Sequence, residues 1–502
     1  MSDDKELVLV AGKKALVLIN MVATNDTAIL PKGTVTVVDS KGVKVQDETP
    51  LQPPKELSKV STEVPSKATH YSAILDSTAV AAEMKIVVSF SSESLSKTMT
   101  PRVVPSYKAT LVAIPVQLDG NIGALSDSVG TLLESRMPFA AVTYAPRVPL
   151  LSSVRMPQNE GEWPGTMRKL LLEMESIRIA DKADHTHYYV AYVPKTTYGT
   201  TGMGFQPGRA SVVAGFWPNH KVPRDTTLHE VGHNLSLGHA PCGATQGLDP
   251  QYPYANANLG APGRYIWGYN FESDSFIDPR DVRAYDIMSY CGKHAFSDYN
   301  YRIMQRYLNP AAANEILKQN SNESENTILI SGYFEGNDTY LLPLKNIRNS
   351  KTTRSEGPYI ARLTTATGVI NHRFSANPLD HLPSSSGFAF SLENPGRLEK
   401  LEILNGDQVL LSKFSAKKAE HAKQAGSESV LFEFKENYLN LRWDSNEYSS
   451  LSIRHHGEKT VTLAIDLTDG FARIPLENIP AGGKFEFILS DGLNSKSEMK
   501  FR

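Results

Sequence analysis

Cysteine is nearly absent from this chain, with two residues in 502, so the placement of the pair carries more than its number. Long apolar runs are missing too. No stretch of about 18 uncharged apolar residues occurs, so no transmembrane helix is expected. Leu7–Val22 comes nearest, but Lys13 and Lys14 interrupt it and its alternation is that of a strand. There is no surplus of charge, 52 Lys and Arg standing against 54 Asp and Glu, and nothing points to nucleic acid or an acidic membrane surface as partner. The opening Met1-Ser2-Asp3-Asp4-Lys5 is acidic and polar, the reverse of a signal peptide's start. The protein is therefore either cytosolic or one whose leader has been removed.

What is present reads as ordinary globular protein rich in turns: 40% apolar residues with 30 Pro and 34 Gly. At roughly 100–200 residues per domain the length predicts three or four domains. Residues 1–104 read as an all-β module, with short β-rich runs at Leu7–Val10, Ala15–Val22, Gly33–Val38, Ala68–Leu75 and Met84–Phe90. Over 105–322 strands and helices alternate. Ala109–Leu118 is a buried-type strand, Ser126–Arg136 a helix, and Phe139–Tyr144 a strand. Gly165–Lys182 is a helix whose apolar positions Met167, Leu170, Leu171, Met174 and Ile177 fall at 3–4 spacing. Strands at His187–Val193 and Ser211–Phe216 precede a helix opening near Asp225. Helices over Asp298–Leu308 and Pro310–Lys318 close this α/β region. Short β runs then return, and two further β-sandwich modules are placed at 323–415 and 416–502.

The strongest local signal is His229-Glu230-Val231-Gly232-His233-Asn234-Leu235-Ser236-Leu237-Gly238-His239. Two histidines at i and i+4 leave one helix face together, close enough for both imidazoles to reach one Zn²⁺ at about 2.0–2.1 Å. The glutamate between them points to the metal's open position, where a carboxylate can take a proton from water and later deliver it to a leaving amine. The third histidine, six residues on, cannot share that face. The helix must end and the chain double back.

This spacing resembles that of the metzincin zinc metallopeptidases, and Tyr285-Asp286-Ile287-Met288-Ser289-Tyr290 matches the Met-turn that the family carries downstream. The resemblance implies a mixed-sheet α/β catalytic domain with an active-site helix and a Met-turn, flanked here by immunoglobulin-like sandwich modules. It also implies one catalytic zinc on His229, His233 and His239, with Glu230 as general base and Met288 as an apolar floor beneath the imidazoles. The family's glycine at the helix-ending turn is Ser236 in this chain, so either Ser236 accepts a left-handed conformation at about 1–2 kcal/mol or the turn shifts toward Gly238. Tyr290 stands where serralysin- and astacin-like members place a tyrosine beside the metal. Its two readings are a ligand or oxyanion donor and a core aromatic. Cys242 follows His239 by three residues and Cys291 follows Met288 by three. Near the floor of such a cleft they would form a disulfide worth about 4 kcal/mol and diagnostic of an oxidising compartment; two buried thiols or extra metal ligands are the alternatives.

Gly208–Phe216 reads as the edge strand along which metzincins bind an extended peptide. Trp217, His220, Trp267 and Tyr269 flank the expected cleft, whereas His185, His187, His294, His455 and His456 have no motif context. The texture H-E-V-G-H-N-L-S-L-G-H-A-P-C followed by D-I-M-S-Y-C-G and S-D-Y-N-Y-R is similar to secreted bacterial reprolysin-like and StcE-like, mucin-cleaving proteases. That implies a secreted or cell-surface monomeric endopeptidase acting on proteins or glycoproteins, mucin-like ones included, with a leader absent from this chain. A structural Ca²⁺ has no motif of its own. The rival from another class is a non-catalytic glycan- or protein-binding adhesin with a vestigial zinc site. Glu230 weighs against it, because a purely structural zinc has no use for a base.

Overall fold

The computed structural model describes residues 8–23, 30–91, 95–194, 199–215, 221–292, 294–308, 320–415, 429–477, 479 and 481–501. The helix expected over Pro310–Lys318, together with Trp217 and His220, lies outside them. Strand dominates. The α-helices among the described residues are α1 (Val129–Arg136), α2 (Trp163–Ala180), α3 (Lys221–Asn234) and α4 (Asp298–Tyr307). The chain divides into two compact units: Met1–Ala109 with Ser128–Thr143 and Leu237–Ala312, and Thr110–Asp127 with Tyr144–Ser236 and Ala313–Arg502.

In the first unit, an antiparallel sheet ordered Lys44–Pro50, Gly33–Val38, Lys85–Phe90, Ser96–Met99 shares one apolar core with the pair Ala15–Ile19 and Tyr71–Leu75. Period-2 alternation builds that core: Gly33–Val38 alternates buried and half-exposed residues, and Val35 and Val37 are fully buried. Lys13, which breaks the apolar run, has a structural use. Its ammonium donates to the carbonyls of Glu134, Met137 (2.9 Å) and Phe139 (3.0 Å) at and just beyond the C-terminal end of α1, where orphan carbonyls and the helix dipole favour a cation. Burial pushes this amine down to about 8, against the pull of Glu134. At the start of α4, Ser297 accepts the backbone N–H of Asn300 (3.3 Å), and Asp298 adds a negative charge to the first turn.

The second unit is organised on a large mixed sheet. Its order is Gly202–Gly204, Ala210–Ala214, His187–Val193, Lys108–Leu118, Leu150–Ser152, Thr460–Leu467, Ser450–His456, Lys484–Ser490, Ser495–Phe501. His187–Val193 runs parallel to both its neighbours, and α2 covers the strands with Trp163, Met167, Leu170, Leu171, Met174 and Ile177, packed on Val112, Ile114, Tyr189, Ala191 and Val212. The parallel pairing Leu151↔Ala464 brings strands from the end of the chain into the same sheet. Two further apolar cores serve residues 328–403 and 430–489, the second shared between Val430–Lys435, Tyr438–Trp443, Phe471–Pro475 and the C-terminal strands of the large sheet. One expectation is corrected. The strand at Ala210–Ala214 is not the sheet edge: Gly202–Gly204 pairs antiparallel outside it and takes that place. The Gly-Met-Gly sequence is too short and too poor in β-formers to announce a strand.

Candidate metal centre

α3 carries His229 and His233 one turn apart with Glu230 next to the first, and each of the three is at most 1% exposed. The helix is fixed on the sheet by its polar residues. The Thr227 hydroxyl donates back to Pro223 O (2.7 Å) and pairs with the Tyr192 hydroxyl (3.1 Å). At the last turn the buried Asn234 amide donates to Phe205 O (2.9 Å) and Ala210 O (3.0 Å) while its carbonyl accepts the Ser211 hydroxyl (2.9 Å). Every polar group on this side chain is thereby used, which sets the rotation of the helix and the direction of its histidines. On the opposing strand, a Cβ at Gly202 would overlap the Glu230 carboxylate and Thr226. Only glycine lets the sheet edge lie that close to the glutamate.

The Nε2 atoms of His229 and His233 are 3.1 Å apart, with the rings nearly perpendicular. The helix ends in a left-handed residue at Ser236 (φ 75°), whose N–H reaches back to His233 O (2.8 Å). Serine thus accepts the conformation that glycine would adopt without strain. Beyond it, His239 is held by a short parallel bridge to Leu248, and its Nδ1 lies 2.7 Å from Gln246 O. A carbonyl only accepts, so Nδ1 carries the proton and the Nε2 lone pair is left for a ligand. The ligand atoms of His229, His233, His239 and Asp380 all lie within 4.8 Å of one another, and all four residues are buried.

The turn around Met288 is built by Asp286. Its carboxylate accepts the N–H groups of Met288 and Ser297 (both 2.7 Å) and the Tyr252 hydroxyl (3.3 Å). Burial raises this carboxyl above its ordinary value, against the pull of those donors. The turn is stitched to the loop after His239 by Ala240 N to Met288 O (3.0 Å), Tyr290 N to Cys242 O (2.9 Å) and the Cys242–Cys291 disulfide. Met288 is fully buried, while Tyr290 is 43% exposed and brings its hydroxyl 3.2 Å from His239 Nε2.

Trp267 lies beneath the Arg280 guanidinium (4.8 Å), and the Tyr269 hydroxyl bonds Asp274 within its own hairpin. The histidines without motif context have local engagements: His187 with Asp184 (2.9 Å), His294 with the Tyr285 N–H (3.1 Å), His455 with Gly482 O (2.9 Å), His456 with Glu486 (2.8 Å). Burial lowers the basicity of His185. Sequence reasoning missed Gly202 and Asp380. A glycine in a loop and an aspartate 141 residues beyond His239 belong to no motif, and only the pairing of their strands brings them to α3.

The donor set suits zinc. Ligands at about 2.0–2.1 Å in a tetrahedron stand about 3.3 Å from each other, near the spacing of the two helix imidazoles. Buried imidazoles with a carboxylate are borderline donors of the kind this ion takes. No curated protein matches this sequence. Residues 207–313, from the strand before α3 through the turn at Met288, match the family model Peptidase M66, and the chain is on that ground a zinc metalloendopeptidase, a hydrolase acting on peptide bonds.

Proposed function

We propose that this chain is a metzincin-type endopeptidase, with zinc held by His229, His233 and His239 and with Glu230 as general base. The observation that carries the proposal is the convergence of the three imidazoles, with His239 Nδ1 donating to a carbonyl and Nε2 therefore the unprotonated nitrogen. When bound, zinc polarises the scissile carbonyl and acidifies water. The chain's own residues do the rest. Glu230, buried beside His229, takes the proton from the attacking water and returns it to the leaving nitrogen. Tyr290, whose hydroxyl is beside His239 Nε2 and half open to solvent, donates to the oxyanion. Met288 packs as the apolar floor.

The substrate class we propose is extracellular protein or glycoprotein, mucin-like chains included, cut by a secreted or cell-surface enzyme. The family match and the disulfide, which persists in oxidising compartments, support this. The β modules would orient large substrates. Glu230→Ala should lower hydrolysis of casein and mucin about 10²–10⁴-fold while zinc content stays stoichiometric, and a chelator should abolish activity reversibly. Hydrolysis indifferent to both would sink the proposal. The intact chain is required, because Leu151 pairs with Ala464 and removal of the C-terminal residues would strip the central sheet.

A further inference from the structure

We infer that Asp380 is a fourth metal ligand, and that the segment carrying it, Asn377–His381, fills the substrate's place at the sheet edge, so that catalysis requires its displacement. This deepens the zinc-peptidase reading above and rests on it.

The first argument is which nitrogen the carboxylate meets. Asp380 Oδ2 is 3.1 Å from His233 Nε2, the same atom that lies 3.1 Å from His229 Nε2. A carboxylate that merely orients a ligating histidine bonds the ring nitrogen facing away from the metal. This one is on the metal's side, at the separation of two donors sharing one ion. Its placement is built. Asp380 is 4% exposed, its Oδ1 accepts the His381 N–H (2.8 Å), and the His381 ring lies 2.8 Å from Oδ2. His381 itself has φ 60°, a conformation side chains rarely adopt, and Glu230, Asp380 and His381 bring their ligand atoms together as a second cluster.

The second argument is the backbone. Asp380 N donates to Gly204 O (3.1 Å), Gln206 N donates to Pro378 O (3.2 Å), and Phe205 and Leu379 form an antiparallel bridge. The chain thus adds its own short strand beyond the edge Gly202–Gly204, the position at which an extended peptide would pair. One segment occupies both the fourth corner of the metal and the backbone edge. Its hold on that edge is short, two backbone hydrogen bonds and the Phe205–Leu379 bridge, while its other side pairs with Leu382–Gly387 (Asn377↔Gly387, Pro378↔Ser386, Leu379↔Leu382), so it can leave the edge while remaining on its own hairpin.

The test uses the full chain as wild type, Asp380→Ala and Asp380→Asn, with matched circular dichroism; the isosteric Asn variant carries the test if Ala fails to fold. Zinc affinity by chelator competition should fall about 10–100-fold or more, and the visible spectrum of the Co²⁺-loaded protein should change in position and intensity. Hydrolysis of a short fluorogenic peptide at saturating zinc should rise at least about tenfold, since the competent fraction is no longer limited by the segment. Unchanged affinity and spectrum in both variants would overturn the ligand assignment. Activity at or below wild type, with metal saturated, would overturn the displacement. Altered affinity and spectrum with no hydrolysis by any form, wild type included, would overturn the displacement too and would place the fault in the peptidase reading rather than in the ligand.

Discussion

Ser236 allows a clean measurement of what the ligand loop costs. Its φ of 75° lies in the left-handed region, where an L side chain is strained by about 1–2 kcal/mol. Ser236→Gly removes that strain but gives the unfolded chain more freedom to lose, about 0.4–1 kcal/mol. The balance is a net stabilisation of about 0.5–1 kcal/mol, or a rise in Tm of about 1–4 °C for a unit of this size. The assay is urea or thermal unfolding with chelator present, so that metal linkage does not enter the comparison. Ser236→Ala keeps the Cβ and should be near neutral, whereas Ser236→Val adds a branched side chain and should cost more than it. A glycine variant no more stable than wild type, or an alanine variant equal to glycine, would refute the claim that strain is stored at this turn.

Two other outcomes follow from the geometry. Replacing Cys242 and Cys291 together with Ser opens a loop closed across 49 residues and should cost about 4 kcal/mol in chemical denaturation, loosening the Met288 turn against the loop after His239; a cost under about 1 kcal/mol would mean that Asp286 and the backbone hydrogen bonds hold the turn without the disulfide. Glu486 carries an acid dependence: burial pushes its pKa up, but His456 (2.8 Å), Arg454 (3.2 Å) and Ser497 (2.7 Å) outweigh burial and hold it below the ordinary value. A depressed folded pKa contributes stability above the unfolded pKa and loses it as pH falls through the folded one. The urea midpoint of wild type should therefore drop more steeply below about pH 4 than that of Glu486→Gln; parallel curves would remove Glu486 as a cause.

The fold was legible where periodicity is strong. α2 announces itself because Met167, Leu170, Leu171, Met174 and Ile177 lie on one stripe, and the structure buries all of them against the sheet. After His187 the strand His187–Val193 is aromatic or aliphatic at every position, because parallel neighbours cover both its edges and α2 covers a face. Strands that bury little were passed over. Gly368–Phe374 exposes its first four residues, and Lys44–Pro50 is polar along most of its length; both stand at sheet edges, where hydrogen bonding rather than burial holds a strand. Lys13 was legible only as a break in an apolar run; its partners, the carbonyls at the end of α1, lie more than a hundred residues away.

The centre divides along the same line. His229, Glu230 and His233 are legible because helix geometry alone places them together, and Met288 and Cys291 because a local turn does so. Asp380 is illegible because its position depends on a strand at Asn377–Leu379 reaching Gly204–Gln206 from well over a hundred residues away. That asymmetry has a chemical consequence. In the reading proposed above, the motif residues make a three-histidine site with a base, which is the catalytic pattern, while the one donor supplied by tertiary structure converts it to four protein ligands, which is the pattern of a closed centre. Whether hydrolysis is fast or restrained in this chain is therefore decided by how firmly a short added strand is held at a sheet edge, and not by the histidine motif that identifies the chemistry.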